Sequence, residues 1–290
     1  MRRFGAAELF GQAVVSLTPD ELRRSASAGY RESECPFRAG GKPCSKRGGV
    51  CSLALFEQDE AGAVRIVGMP VTTCPNRFLE GNKAFAWVGE TLLGTRDPRV
   101  VSEVSFLMTD EHASANLEDE VGRIDKVLVS IRECGIVWCA LEMQAVYFSG
   151  GKMEDDFALM RDWRGPGVPF PAKHRRPDYR SSGPKRLMPQ LQIKVPTLRR
   201  WGRKMAVVVD KSFWESLAEV RRVEHLSNSD IAWFIMDYEG PENGRYRIAC
   251  SEVVFTTLEN AVEGLTGGTP VTLEQFERAI HEKLARSEAT

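Results

Sequence analysis

The run Met205-Ala206-Val207-Val208-Val209, unbroken by a polar residue until Asp210, constrains the fold more than any other stretch of the chain. Five apolar residues in succession leave no polar face, so a strand made from them is buried on both sides. A sheet covered on both faces takes helices as its outer layers, which is the α/β arrangement. Ser212 to Arg222 is predicted as a helix behind that strand. Upstream, Asn82 to Leu93 reads as a helix stopped by Gly94 and the Asp97-Pro98 pair, and three β-rich runs follow it: Val100 to Met108, Ile124 to Ile131 and Gly135 to Phe148. Downstream, Ile231 to Asp237 and Tyr246 to Thr257 read as paired strands about the turn Pro241-Glu242-Asn243-Gly244. Capping boxes at Thr18-Pro19-Asp20-Glu21 and Thr272-Leu273-Glu274-Gln275 open two more helices, predicted to run to about Ala28 and about Arg286.

A chain of 290 residues has room for one large domain or two modest ones. The expected division is an N-terminal helix and cysteine-bearing module over residues 1–80, followed by a larger α/β unit over residues 81–290. Four of the seven cysteines, Cys35, Cys44, Cys51 and Cys74, fall in the first part, among Gly and Pro residues. Cys134, Cys139 and Cys250 lie in apolar runs and read as core. An odd count, with no secretion signal at the start MRRFGAAELFGQAVV, argues against a disulfide framework. The spacing Cys35-x8-Cys44-x6-Cys51-x22-Cys74 is not the paired two-residue spacing of common zinc ribbons. It is supported by the shared Cys-Pro turns at Cys35-Pro36 and Cys74-Pro75, and by Gly40-Gly41 and Gly48-Gly49, whose backbones can turn tightly enough to gather ligands. Four thiolates leave a tetrahedral ion no open position, so a metal there is expected to be structural, and iron and zinc both suit such a set.

The run CALEMQAVYF places two polar residues in an apolar strand. Alternation sends Glu142 and Gln144 to one face and Leu141, Met143 and Ala145 to the other. Asp125 is expected to open the preceding strand, and Glu103 lies in the one before it. If these strands are neighbours, Asp125, Glu142 and Glu103 converge at one edge of the sheet. Converging carboxylates repel unless a cation or proton intervenes, and hard oxygen ligands suit Mg2+.

The formal net charge of −1 hides a strong partition. Between Ala172 and Met205 eleven Lys and Arg residues face one acid, Asp178, so this window carries +10 and the rest of the chain −11. Its cations are interleaved with Tyr179 and Trp201, which suits contact with phosphates and base edges. Arg175, Arg176, Arg180, Lys185, Arg186, Lys194, Arg199 and Arg200 are the expected DNA contacts. No apolar run approaches the roughly 20 residues that span a bilayer, so no membrane partner is expected, and a cytoplasmic address follows by default.

Taken together, ECPFRAGGKPCSKRGGVCSL, TTCPNRF, SEVSFL, GRIDKVLV, ALEMQAVYFSGG and RPDYRSSGPKRLMPQLQIKVPTLRRWGRKMAVVV resemble the NotI family of type II restriction endonucleases, over roughly residues 30 to 210. The resemblance implies a PD-(D/E)xK core, a mixed sheet flanked by helices, with a small N-terminal metal module. It further implies a homodimer in the bacterial cytoplasm, and Mg2+-dependent cleavage of double-stranded DNA at a GC-rich palindrome. Carried over by position, Asp125, Glu142 and Gln144 form the active-site triplet, Glu103 or Glu90 is a further acid, and Cys35, Cys44, Cys51 and Cys74 hold iron or zinc. The departure from the wider superfamily is Gln144, where a Lys is usual; a neutral amide can orient water but carries no positive charge. Two other functions compete: a catalytically inactive, metal-stabilised DNA-binding regulator, and a structure-specific repair or nicking nuclease. The four scattered histidines and the lack of a Gly-rich phosphate loop argue against a histidine-metal nuclease and an ATPase.

Overall fold

The apolar run forms the centre of the structure, a computed structural model that describes residues 1–108, 120–267 and 271–287. In chain order the strands are β1 (Arg2–Leu9), β2 (Gln12–Ala13), β3 (Val50–Gln58), β4 (Val64–Thr72), β5 (Arg99–Met108), β6 (Glu120–Arg132), β7 (Gly135–Met143), β8 (Tyr147–Ser149), β9 (Arg176–Asp178), β10 (Met205–Asp210), β11 (Ile231–Glu242) and β12 (Arg245–Thr256). The α-helices are α1 (Pro19–Ser27), α2 (Lys83–Leu93), α3 (Glu154–Asp162), α4 (Tyr179–Ser182), α5 (Met188–Arg200), α6 (Lys211–Glu215), α7 (Leu258–Thr266) and α8 (Leu273–Ser287).

All six residues of β10 are buried, and the strand runs parallel to both its neighbours in a mixed sheet of order β12-β11-β10-β7-β6-β5. Side chains alternate across that sheet. Ala206, Val208, Ala232 and Phe234 join Leu141 and Cys139 in one core, while Met205, Val207, Ile231 and Trp233 join Ala140 in the other. The second core is closed by α5, α6 and α7 through Leu191, Val195, Leu198, Phe213, Ala261 and Leu265. The first takes in α2 and, in place of further helices alone, the antiparallel sheet β2-β1-β3-β4 with α1 and α3. The two sheets meet at Thr72, at the end of β4. Its amide donates to Asp210 Oδ2 (2.6 Å), its hydroxyl meets Tyr238 Oη (2.9 Å), and its carbonyl accepts from the Val146 amide (2.8 Å).

Local signals place several elements. The Thr18 capping box opens α1 and Thr272 with Gln275 opens α8, while Gly94, at φ 68°, ends α2 in the left-handed conformation. Gly40, Gly41, Gly48 and Gly49 all take positive φ, as the turns between the cysteines require. Elsewhere the structure departs from expectation. The helix predicted to reach Arg222 ends at Glu215, because the Ala218 amide turns to Gly264 O and the Val223 amide to Phe255 O. The strand predicted to reach Phe148 ends at Met143, and Tyr147–Ser149 turns away to pair with β9. Asp125 lies inside β6 and does not open it. The basic window is helical over much of its length: α4, a wide π turn at Gly183–Leu187, and α5.

Candidate active-site cleft

Strand register brings the acids together. On β6 and β7, Lys126 faces Leu141, so the next positions along, Asp125 and Glu142, are neighbours. On β5 and β6, Ser102 faces Lys126 and Val104 faces Ile124, which puts Glu103 across from Asp125. Glu142 also stands beside Val207 of β10, on the sheet face that α5 covers. Its side chain is buried, and Lys194 of α5 reaches it with Nζ 2.9 Å from Oε2. Burial raises the Glu142 pKa above the usual carboxylate value; Lys194 opposes the rise and the adjacent Asp125 carboxylate adds to it. Gln144 lies just beyond β7. Its amide still donates to Val208 O (3.0 Å), and its buried side chain donates through Nε2 to Ala145 O.

Asp125, Glu142 and Gln144 line one cleft of about 440 Å³ together with Lys46, Tyr147, Lys185 and Arg186. Arg186 stacks over the Tyr147 ring at 3.7 Å and donates to its hydroxyl (2.8 Å). On the other side of Asp125 and Met143 the cleft widens into a groove of about 890 Å³. Its walls carry Arg38 and Lys42 from the cysteine-bearing segment, Arg96 after α2, and Glu103 and Lys126 from the sheet. The groove wall takes Glu103 and not Glu90. Glu90 points to Arg96 (3.6 Å), while the exposed Glu103 carboxylate lies 3.6 Å from Arg123, on a backbone at φ 57°.

The expected DNA contacts divide into three groups. Arg176, Arg180, Lys185, Arg186 and Arg200 are exposed. The structure corrects the reading at Arg175 and Lys194, which are buried in ion pairs and present no cation to a phosphate. Arg175 binds Asp156 (2.7 Å) and the carbonyls of Gly151, Lys152 and Phe4, and Lys194 binds Glu142. Arg199 is half exposed but held by Asp230 and Glu259. Arg38, Lys42, Lys46, Arg96 and Lys126 are cleft cations that the charge count passed over, because the first three are scattered among cysteines and the others sit singly. For Lys194 a signal was present: Leu191, Lys194, Val195 and Leu198 fall at i, i+3, i+4 and i+7.

Cys35, Cys44, Cys51 and Cys74 are all buried and unpaired. Burial raises the thiols of Cys44, Cys51 and Cys74, while backbone amides at Lys46, Gly11 and Asn76 respectively pull them the other way. Lys46 sits among them, its ammonium on Thr73 O (2.8 Å) and its pKa lowered by burial. The donor set fits a soft-ligand ion such as iron or zinc. Even so, among the described residues no three His, Cys, Asp or Glu side chains are gathered closely enough to hold an ion. The two juxtaposed carboxylates fit Mg2+, which fills much of its coordination shell with water.

A mixed α/β sheet with acids meeting in a cation-lined cleft is consistent with a nuclease-like fold. The family model described as "Restriction endonuclease NotI" matches residues 20–248, and the chain belongs to that family. The match starts before the first cysteine and runs through β10 and β11, so it takes in the whole cleft. No curated protein matches the chain. Among the described residues no helix is long and apolar enough to cross a membrane.

Proposed function

We propose that the protein is a type II site-specific endonuclease of the bacterial cytoplasm. It hydrolyses phosphodiester bonds of double-stranded DNA at a GC-rich palindrome, with Mg2+ held by Asp125 and Glu142. The observation that carries this reading is the meeting of those two carboxylates, on adjacent strands, inside the cation-lined cleft of a NotI-family chain. When bound, Mg2+ would neutralise charge on the phosphate and acidify a water. The protein's own groups do the rest. Asp125 presents a carboxylate at the cleft surface, and Glu142 presents one from the interior. Gln144, its Nε2 occupied by Ala145 O, has its side-chain carbonyl to orient a water. Lys185 and Arg186 on the π turn are set to bind the phosphate backbone, with Arg176, Arg180 and Arg200 extending that surface. Glu103 is a further acid at the cleft wall. Two copies about a twofold axis would offer one such cleft to each strand of a palindrome. The four cysteines would hold one structural iron or zinc.

Digestion of plasmid DNA with Mg2+ tests this. Discrete fragments are expected from the wild type, and Asp125→Ala and Glu142→Ala should each slow cleavage by about 10³-fold or more, roughly 4 kcal/mol of barrier. Both variants should still bind duplex DNA in Ca2+. Specific binding without cleavage by the wild type would favour the inactive regulator, and preference for branched or damaged DNA the repair nuclease.

A further inference from the structure

Lys194 occupies a position where a helix ordinarily places an apolar side chain. It shares the buried stripe of α5 with Leu191, Val195 and Leu198, and its side chain is 3 % exposed. An ammonium taken out of water is strongly unfavourable unless it is paired. Its partner is Glu142 Oε2, at 2.9 Å, and the Glu142 side chain is itself only 11 % exposed. The pair joins the helix layer to β7 at the point where Glu142 neighbours Asp125. Asp125 on the adjacent strand sets a second carboxylate beside Glu142, like charges repel, and Lys194 is the cation held against Glu142 from the helix layer. Gln144, two positions after Glu142 and just beyond the end of β7, lines the same cleft and carries no charge.

Resting on the reading of this cleft as a Mg2+-dependent nuclease, we propose that Lys194 is a positioning residue for cleavage. It fixes one oxygen of Glu142 from helix α5, so that the carboxylate is aimed beside Asp125, and it delivers to the acid pair the positive charge that Gln144 lacks. A purely structural lysine would serve the fold alone. The two roles separate when ion binding and cleavage are measured independently, because an ammonium against a ligand oxygen competes with an incoming cation while it organises the site.

The test compares the wild type, Lys194→Met, Glu142→Ala and the double variant Lys194→Met/Gln144→Lys. Single-turnover cleavage at saturating Mg2+ by Lys194→Met should slow by at least about 30-fold. Calorimetric binding of Mn2+ to the same variant, without DNA, should be as tight as in the wild type or tighter. The double variant returns an ammonium to the cleft from the segment after β7 and should recover at least about tenfold of the lost rate. Cleavage by Lys194→Met within about threefold of the wild type overturns the proposal. So does a loss of Mn2+ binding in step with the rate, which marks an anchor of the fold. If Lys194→Met shows no cooperative thermal transition, the double variant decides: folded and cleaving supports the role, whereas folded and inactive, or unfolded, overturns it. Failure of the wild type to cleave, or full activity in Glu142→Ala, would instead defeat the nuclease reading itself.

Discussion

Arg77 engages all three nitrogens of its guanidinium inside the protein. Nε lies 3.0 Å from both Glu8 carboxylate oxygens, Nη1 donates to Glu80 Oε2 (2.9 Å) and Nη2 to Tyr246 O (2.8 Å). The rings of Phe37 and Tyr238 stand at 4.6 and 5.2 Å from it. One residue thus joins β1, the segment before α2, β11 and β12, and neither Arg77 nor Glu8 is exposed at all. Removing one partner of such a pair strands the other, and Arg77→Met is expected to cost about 3–5 kcal/mol at neutral pH. The cost has a sign in pH. Burial raises the Glu8 pKa above 4.5, and Arg77 is the largest influence opposing that rise. Without Arg77 the folded-state value climbs further, so the native state holds a proton that the unfolded chain releases, and stability falls as pH rises from about 4.5 through that value. Chemical denaturation of the variant should therefore show a larger deficit against the wild type at pH 8 than at pH 5. An equal deficit at both would contradict it.

At the scale of elements, Asp210 shows how a strand end becomes a junction. Oδ1 accepts from the Phe213 amide (2.8 Å) and so starts α6, and Oδ2 accepts from the Thr72 amide (2.6 Å) and so holds the end of β4. Burial pushes its pKa up to about 6, against the pull of those two amides. Asp210→Asn leaves one oxygen for two donors and should cost about 1–3 kcal/mol. A value raised from 3.8 to about 6 also means that the wild type loses stability as pH rises across that interval and levels off above it. The Asn variant has no such slope, so the gap between the two melting temperatures should narrow from pH 4 to pH 7. Much at this scale was legible in the sequence. β10 was, because an apolar run has few alternatives, and α1 and α8 were, because a capping box is local chemistry. β1 was not: Arg2, Gly5 and Glu8 conceal a strand whose last five residues are buried. Nor was α5, since Pro189 and Pro196 argue against a helix, although Pro189 sits in the first turn, where the missing amide has no partner to lose. The convergence of Glu103, Asp125 and Glu142 was readable from alternation and order along the strands. The spacing put Lys194 on an apolar stripe, but its pairing with Glu142 was not readable, because that depends on which layer α5 covers.

For the molecule as a whole, the cysteine segment forms a wall of the cleft as well as an appendage to the sheet. Phe37, Arg38, Lys42 and Ser45 face Asp125, Lys126 and Glu103 across the groove, and Lys46 lines the narrower part beside Glu142. From behind, the segment rests on the sheet and on α3: Gly48 lies so close to the Phe157 ring that a Cβ there would stand 2.2 Å from it. Between these two contacts the chain is held by turns rather than by regular structure, the situation in which a bound ion contributes most to order. If the four cysteines hold iron or zinc, removing it should release the wall and leave the sheet with its acids. Metal analysis should then find one ion per chain. Chelation, or Cys51→Ser, should lower the melting temperature by about 10 °C, equivalent to a few kcal/mol in a chain of this size. The effect on function should differ from that of the acid variants. Asp125→Ala removes cleavage and leaves Ca2+-supported DNA binding, whereas the metal-depleted protein should lose both, because Arg38, Lys42 and Lys46 lose their positions together. A chelated protein that binds a duplex with wild-type affinity would show that the groove wall stands without the ion.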